Sequence, residues 1–252
     1  MNLRPLRYTI GEPFIELDSV ESSNNYAMEQ VQNGHPEPGT VWFAREQTAG
    51  KGQRGKHWIA QEGLNIIMSA IIPCSHLTIN KQFALSAAVA VACRHFFARF
   101  AGEQTKVKYP NDIYWNDRKA AGILIENVIS GKTWQWAVIG IGMNINQVAF
   151  PEIAVRPVSL KQITGRTLES VQLAKELCAG VDHWVKKVGE EDEAEIMQHY
   201  NEHLFKQGEE SKFKQGTTLF TAKVSKVDEF GMLWLDDGQE AAYNWGELEW
   251  VM

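Results

Sequence analysis

The chain has 252 residues, enough for a well-buried core in one large domain with a small domain beside it. Its 44% hydrophobic and 22% charged residues are ordinary for a globular protein, and a net charge of −6 disfavours broad nucleic-acid binding. The sequence has no apolar run of about 18 residues and no apolar signal segment at its start, which predicts a cytoplasmic protein without a membrane span.

Apolar periodicity and turn residues predict the elements of the larger, N-terminal part. Ser22-Ser23-Asn24 is typical of a helix cap, and Gly131-Lys132 of a hairpin turn. The predicted strands are 13–17, 40–44, 64–72, 105–109, 122–129 and 134–141, and the predicted helices are 26–32, 81–100, 170–188 and 190–204. Hairpins mixed with helices indicate an α+β fold with a mixed or antiparallel sheet.

The pattern changes after Gly208. Short strands are predicted at 217–227, 232–235 and 241–245, with turns at Phe230-Gly231 and 236–238. These strands predict a small β-barrel. We therefore expect a large domain at residues 1–208 and a barrel domain at 209–252.

A glycine-rich basic segment spans residues 47–58. Its glycines at 50, 52 and 55 permit close approach of the backbone to an anion, and Lys51, Arg54 and Lys56 supply positive charge. The segment has neither the spacing of a Walker A loop nor that of a Rossmann fingerprint. Taken alone, it fits phosphate binding and a solvated flexible loop equally well.

Two further segments carry candidate polar groups. A Pro-Asn-Asp turn places Asp112 after a strand, and Lys119 opens the next strand, so the two side chains are expected to face one pocket across a hairpin-like connection. For an isolated pair of this kind, a surface salt bridge explains the pattern as well. Residues 140–146, Gly-Ile-Gly-Met-Asn-Ile-Asn, follow an apolar strand and fit either a ligand-binding strand end or a simple turn.

Taken together and in this order, the segments resemble those of the biotin protein ligases over nearly the whole chain. Residues 50–56 are similar to the family's Gly-Arg-Gly-Arg-x-Gly-Arg loop, with Trp58 shortly after. Residues 108–112 resemble Lys-Trp-Pro-Asn-Asp, residues 119–124 resemble Lys-x-x-Gly-Ile-Leu, and residues 22–24 resemble Ser-Thr-Asn. Asn144 matches the Asn of the family's Gly-x-Gly-x-Asn, and residues 157–160 are similar to its Thr-Ser-Leu segment apart from Val158. The acidic barrel that ends in Gly246-Glu247 matches the family's C-terminal domain.

The resemblance implies a class II synthetase-like catalytic domain and a small SH3-like barrel. It also implies ATP-dependent formation of biotinyl-5′-AMP with Mg²⁺, and biotin transfer to a lysine of a carboxyl carrier domain. Lys119, Lys51 and Asp112 are the implied catalytic residues. The implied biotin-binding residues are Ser22, Ser23, Asn24, Gln47, Lys51, Gly52, Gln53 and Lys119. The implied ATP-binding residues are Lys51, Arg54, Lys56, Trp58, Asn111 and Asn144.

The chain departs from the family pattern in the basic loop. Lys51 and Lys56 stand where arginine is usual, which keeps the charge but loses the planar fork, and Gln53 removes the middle charge. No helix-turn-helix precedes Pro13, so repressor activity and DNA binding are not expected. No residue is predicted to ligate a metal, no membrane contact is expected, and a homodimer is compatible with the resemblance.

Two other functions compete with this interpretation. A lipoate ligase or octanoyltransferase would have a similar fold, but octanoyl transfer needs a nucleophilic cysteine. Cys74, Cys93 and Cys178 are scattered and lack a neighbouring motif, which favours buried thiols over a nucleophile, a disulfide or a zinc site. A non-enzymatic RNA-binding module is disfavoured because residues 228–252 contain seven acids and no Lys or Arg.

Overall fold

A seven-stranded sheet forms the centre of the larger part of the protein. The computed structural model describes residues 8–34, 37–151 and 156–251. The prediction that the chain starts without a signal segment concerns residues 1–7 as well, and these lie outside the described residues. The strands are β1 (Phe14–Val20), β2 (Val41–Gln47), β3 (Ile66–Pro73), β4 (Thr105–Lys108), β5 (Asp112–Trp115), β6 (Arg118–Ser130) and β7 (Thr133–Met143). Their order is β1-β2-β3-β7-β6-β5-β4, with β1 and β2 parallel and the other neighbours antiparallel.

Helices cover both faces of this sheet. They are α1 (Ser23–Gln32), α2 (Gln82–Ala101), α3 (Leu160–Thr164), α4 (Ser170–Val185) and α5 (Glu193–Glu202). The main core joins one sheet face to α2 and α4, whereas α1 packs on the other face through Ala27 against Ile71 and Val138. Residues Ile79–Ala101 are long and apolar enough to cross a membrane by composition, but most of this segment is buried inside the protein.

The second, smaller sheet follows Gly208. Its strands are β8 (Glu210–Gln215), β9 (Thr218–Val227), β10 (Leu233–Asp236), β11 (Glu240–Tyr243) and β12 (Glu249–Val251). They are antiparallel in the order β11-β10-β9-β8-β12, so β11 and β12 are the edges. Phe213 packs against both Phe220 and Trp250 at its centre. A small C-terminal β unit is confirmed, whereas the boundary between Gly208 and Glu209 stays a prediction.

Most predicted elements occur within a few residues of their predicted bounds, but four elements were not predicted. They are β5, α3, β8 and β12. Because α3 has five residues and these strands six or fewer, each is too short for its apolar periodicity to stand out. The strand predicted to reach Trp245 ends at Tyr243, which leaves Trp245 in the following turn.

Candidate active site

Small residues line the sheet face beneath α1. Ser69 of β3 pairs with Gly140 of β7, and Gly140 pairs in turn with Leu124 of β6. Because side chains alternate between the two faces of a strand, these three positions and the next pair, Gly122 and Gly142, share one face. The result is a shallow strip in which the backbone of β6 and β7 is open to close contacts.

The start of α1 fills one end of this strip with a buried polar network. Ser23 donates its backbone N–H (2.7 Å) and its hydroxyl (3.1 Å) to Gln47 Oε1. Asn24 donates from Nδ2 to the Leu124 carbonyl (3.1 Å) and to the Glu126 carboxylate (2.9 Å). A Cβ on Gly140 would lie only 2.2 Å from Asn24 Oδ1, so glycine is what allows Asn24 to sit here.

Two members of the network, Ser69 and Glu126, were missed from the sequence. The Ser69 hydroxyl lies 2.6 Å from Asn24 Oδ1 and 2.8 Å from Ser23 Oγ. Both residues lie inside apolar strands, where the period-two pattern could have marked them as polar positions on the strip. Ser22, also predicted, caps α1 by accepting from the Asn25 N–H.

Asp112 and Lys119 form an ion pair of 2.6 Å between Oδ1 and Nζ. Both side chains are about three-quarters buried, at 25% and 24% exposure. The connection between the two residues is not a simple loop, because it contains β5 and a turn. Asp112 is in β5 and Lys119 is in β6, so the ion pair joins two adjacent antiparallel strands. A register shift between Ile113 and Tyr114 brings Lys119 opposite Tyr114 and lets the two charged groups meet.

Backbone contacts hold the strand that carries Lys119. The Lys119 N–H donates to the Arg156 carbonyl (2.7 Å), and the Lys119 carbonyl accepts from the Val158 N–H (2.9 Å). Asn144 Nδ2 also approaches this carbonyl, at 3.4 Å, and Asn111 Nδ2 donates to the Ile123 carbonyl on the same strand. Both asparagines are buried supports of β6, and their predicted contact with ATP stays a prediction.

The basic loop is a tight turn in the structure. The Gly52 N–H donates to the Lys56 carbonyl (2.7 Å), and residues 53–55 form one 3₁₀ turn. Within it Arg54 has φ +55° and Gly55 φ +71°, both in the left-handed region. Lys51, Arg54 and Lys56 are exposed, so their charges are available to a ligand. Disorder of this loop without a ligand stays a prediction.

The loop also contacts the C-terminal sheet. The Arg54 guanidinium lies 4.5 Å from the ring centroid of Trp245. Its Nη2 sits where a Cβ on Gly246 would be, at 1.7 Å, so only glycine leaves room at this position. The turn between β11 and β12 is therefore shaped to receive the loop arginine.

Trp58 covers the open strand backbones beside the ion pair. A Cβ on Gly142 would lie 2.5 Å from Trp58 Cε2, and a Cβ on Gly122 would lie 3.3 Å from Trp58 Cζ3. Lys119 Nζ is 6.0 Å from the centroid of the indole. The indole Nε1 is buried against Gly142 and makes no hydrogen bond.

Lys108 adds positive charge next to the pair, although only its motif and not its side chain was noted in the sequence. Burial lowers the pKa of Lys108 to about 8; Asp112 opposes this shift, while Lys119, Lys56 and Lys206 add to it. Lys108 and Lys119 therefore both lie close to the Asp112 carboxylate, and the charges of Lys56 and Lys206 also reach Lys108. This balance favours an anionic ligand.

Residues 16–144 match the model of one protein family, described as the biotin/lipoate A/B protein ligases. The chain belongs to this family. The predicted resemblance is thereby confirmed at the level of the family, and the matched range includes the basic loop, the Asp112–Lys119 pair and Asn144.

Individual family members give the same relationship. The bifunctional ligase/repressor BirA of Bacillus spizizenii is 38% identical over 164 residues, covering 64% of this chain and 50% of that protein. The biotin–[acetyl-CoA-carboxylase] ligase of Paracoccus denitrificans is 28% identical over 200 residues, covering 77% and 83%. This chain thus spans about half the length of the ligase/repressor relative it matches.

The fold is shared with solved members of the family. A biotin protein ligase from Aquifex aeolicus, determined in complex with biotin and ATP, aligns with a TM-score of 0.78 at 24% identity. The alignment covers 94% of this chain and 98% of that one. It confirms the predicted α+β fold with its mixed sheet and a C-terminal β unit.

Proposed function

We propose that this protein activates biotin with ATP as biotinyl-5′-AMP and transfers the biotin to a lysine of a carboxyl carrier domain. The observation that carries the proposal is the Asp112–Lys119 pair, which lies beside Trp58 and the glycine strip in a chain of this family. The relatives named biotin–[acetyl-CoA-carboxylase] ligase support a carboxylase carrier as the partner.

In the first step, biotin carboxylate attacks the α-phosphate of ATP and pyrophosphate leaves. Lys119 is held by its carboxylate partner and by backbone contacts on both sides, so its ammonium is preorganised to stabilise charge at the α-phosphate. Lys51, Arg54 and Lys56 support the phosphates. Mg²⁺, also proposed, would shield the leaving pyrophosphate, and phosphate oxygens and water would supply most of its ligands.

Biotin would lie beside the glycine strip, with its ureido group toward the start of α1. Ser22, Ser23, Asn24 and Gln47 offer neutral donors and acceptors there, and the strip offers an apolar wall. Gly52 and Gln53 would close over it from the loop. The unpartnered Trp58 Nε1 would donate to the nucleotide, which accounts for a buried donor that otherwise has no partner.

In the second step, the carrier lysine must lose a proton and attack the adenylate carbonyl, releasing AMP. Asp112 is the carboxylate in place to orient that amine and receive its proton. Its pairing with Lys119 means that the same carboxylate also fixes the cation of the first step. The two half-reactions are therefore coupled through one ion pair.

The test is biotin-dependent exchange of pyrophosphate into ATP by a Lys119→Ala variant. Removing one such electrostatic group typically lowers kcat about 100- to 1000-fold. Lys132→Ala, at an exposed hairpin turn, is the matched control and should retain full activity. Exchange in Lys119→Ala equal to that of the control would contradict the assignment.

Octanoyl transfer through a cysteine is not favoured. All three cysteines of the chain are free and buried, and burial raises the pKa of Cys74 and Cys178 to about 12 and that of Cys93 further. Such thiols are poor nucleophiles at neutral pH. A lipoate-activating ligase remains the second candidate, and exchange with lipoate in place of biotin would reveal it.

We also propose that the protein works in the cytoplasm, where its proposed substrate ATP is available. The absence of DNA binding and a homodimeric state stay predictions; gel-shift and sedimentation measurements test them.

A further inference from the structure

Three histidines meet outside the candidate active site. His95 comes from α2, His199 from α5, and His203 directly follows α5, one helical turn after His199. One ring nitrogen from each lies within 4.8 Å of the other two. The His95 ring centroid is 5.2 Å from that of His199 and 5.8 Å from that of His203.

Two of these rings have unused hydrogen-bonding capacity. The Nδ1 atoms of His199 and His203 are buried and make no hydrogen bond. Buried polar nitrogens are normally paired, so each such atom calls for an explanation. A shared ion would give these rings the partner that the described residues do not supply.

The surroundings suit neutral imidazoles, the form that binds metals. Trp184 packs edge-on against His95 and His199, with centroids 5.4 and 5.0 Å away, and excludes water from one side. Burial lowers the pKa of His95, to about 4, and that of His203, and in both cases the Arg94 charge adds to the effect.

Nearby carboxylates offset the positive charge that would accompany an ion. The Arg94 guanidinium is itself paired with Glu103, at 2.6 Å. Glu195 and Glu202 place carboxylate oxygens 3.7 and 3.6 Å from the two ring nitrogens of His199. Carboxylates beside histidine ligands commonly orient their rings.

We propose that His95, His199 and His203 bind one divalent transition-metal ion, with Zn²⁺ the best suited and water in the remaining position. Imidazole sets favour Zn²⁺, Cu²⁺ and Ni²⁺, whereas Mg²⁺ prefers oxygen ligands, so this site is separate in chemistry from the proposed magnesium of the reaction. Zn–N bonds of about 2.0–2.1 Å place tetrahedral ligands about 3.4 Å apart. The ring nitrogens, which lie within 4.8 Å of one another, would therefore have to approach by up to about 1.4 Å.

The role that the position indicates is structural. The ion would tie the end of α5 to α2, and the His203 carbonyl accepts a hydrogen bond from the Val107 N–H of β4, at 2.8 Å. β4 leads directly into the Lys108–Asp112 segment. Metal binding is expected to stabilise the packing of α2, α5 and β4 beneath the candidate active site. The ion itself would contact no residue that is proposed to bind biotin or ATP. The inference does not depend on the proposed reaction.

The experiment uses the full chain, purified without a polyhistidine tag and stripped with chelator. Titration with ZnCl₂ by calorimetry is expected to show one high-affinity ion per chain and a rise in Tm, because an ion that binds only the folded state stabilises it. His199→Gln should weaken Zn²⁺ binding at least tenfold and remove the rise in Tm. His76→Gln, an exposed histidine elsewhere, is the matched control and should leave both unchanged.

A second measurement uses the unaltered protein, in case His199→Gln folds poorly. Binding of Co²⁺ to the three imidazoles should give visible absorption bands of a four-coordinate site that disappear on adding Zn²⁺. No stoichiometric Zn²⁺ binding by the unaltered chain would overturn the proposal. Equal affinity in His199→Gln and His76→Gln would do the same.

Discussion

Gly142→Ala tests how Trp58 controls the candidate site. The added methyl group would lie 2.5 Å from Trp58 Cε2 and 2.8 Å from Nε1, closer than carbon atoms pack. The strand backbone at this position pairs with β3 and β6 on its two sides and cannot retreat. The indole must therefore move by about 0.9 Å to reach an ordinary contact of 3.4 Å.

The magnitude follows from what this displacement costs. Overpacking of this kind typically costs about 1–3 kcal/mol, which corresponds to a loss of about 5- to 150-fold in the affinity of a ligand that needs Trp58 in place. We expect the Kd for ATP to rise by that factor, with a smaller effect on biotin, whose proposed polar contacts lie at the far end of the strip. Calorimetric titration of each ligand measures the two effects.

The register supplies a matched control. Gly122 pairs with Gly142 under the same indole, but a Cβ there would lie 3.3 Å from Trp58 Cζ3 and from the flexible end of Lys119. Small adjustments relieve those contacts, so Gly122→Ala should be much milder. Equal ATP affinity in Gly142→Ala and the unaltered protein would refute the reasoning, since Trp58 would then have no part in nucleotide binding.

Three further variants test the remaining parts of the site. Asp112→Asn should slow transfer of biotin from synthetic biotinyl-AMP to the carrier more than it slows pyrophosphate exchange. Exchange should fall as well, because Asp112 pairs directly with Lys119. An unaffected transfer rate would mean that Asp112 has another role. Gln53→Arg should slow release of labelled biotinyl-AMP roughly 2- to 30-fold, since a charged hydrogen bond contributes about 1.5–3 kcal/mol against about 1 for a neutral one; unchanged release in stopped flow would mean that position 53 does not reach the phosphate. Trp245→Ala should raise the rate of tryptic cleavage within residues 51–56 roughly 2- to 5-fold, because an exposed cation–π contact contributes about 0.5–1 kcal/mol. An unchanged cleavage rate would show that Trp245 does not hold Arg54 in place.

Local pattern carried much of the fold and the motifs of the site. The apolar runs of β3, β6 and β7 and the apolar, glycine-free run of α2 depend only on which residues are buried, and a single sequence is enough to recognise them. The basic loop, the Asp112 turn and the Lys119 strand were recognisable because their spacing along the chain is itself the signal.

Proximity across the chain was decided only by the tertiary structure. Strand β5 and the shift in its register turned a predicted connection into the Asp112–Lys119 pair, and pairing of β3 with β7 brought Ser69 to Asn24. The packing of α5 on α2 united His95 with His199 and His203, about a hundred residues apart. Periodicity indicates which face of an element is buried, but not which other element packs against it. The pairing of elements decides which side chains meet, and therefore where the candidate active site and the histidine cluster form.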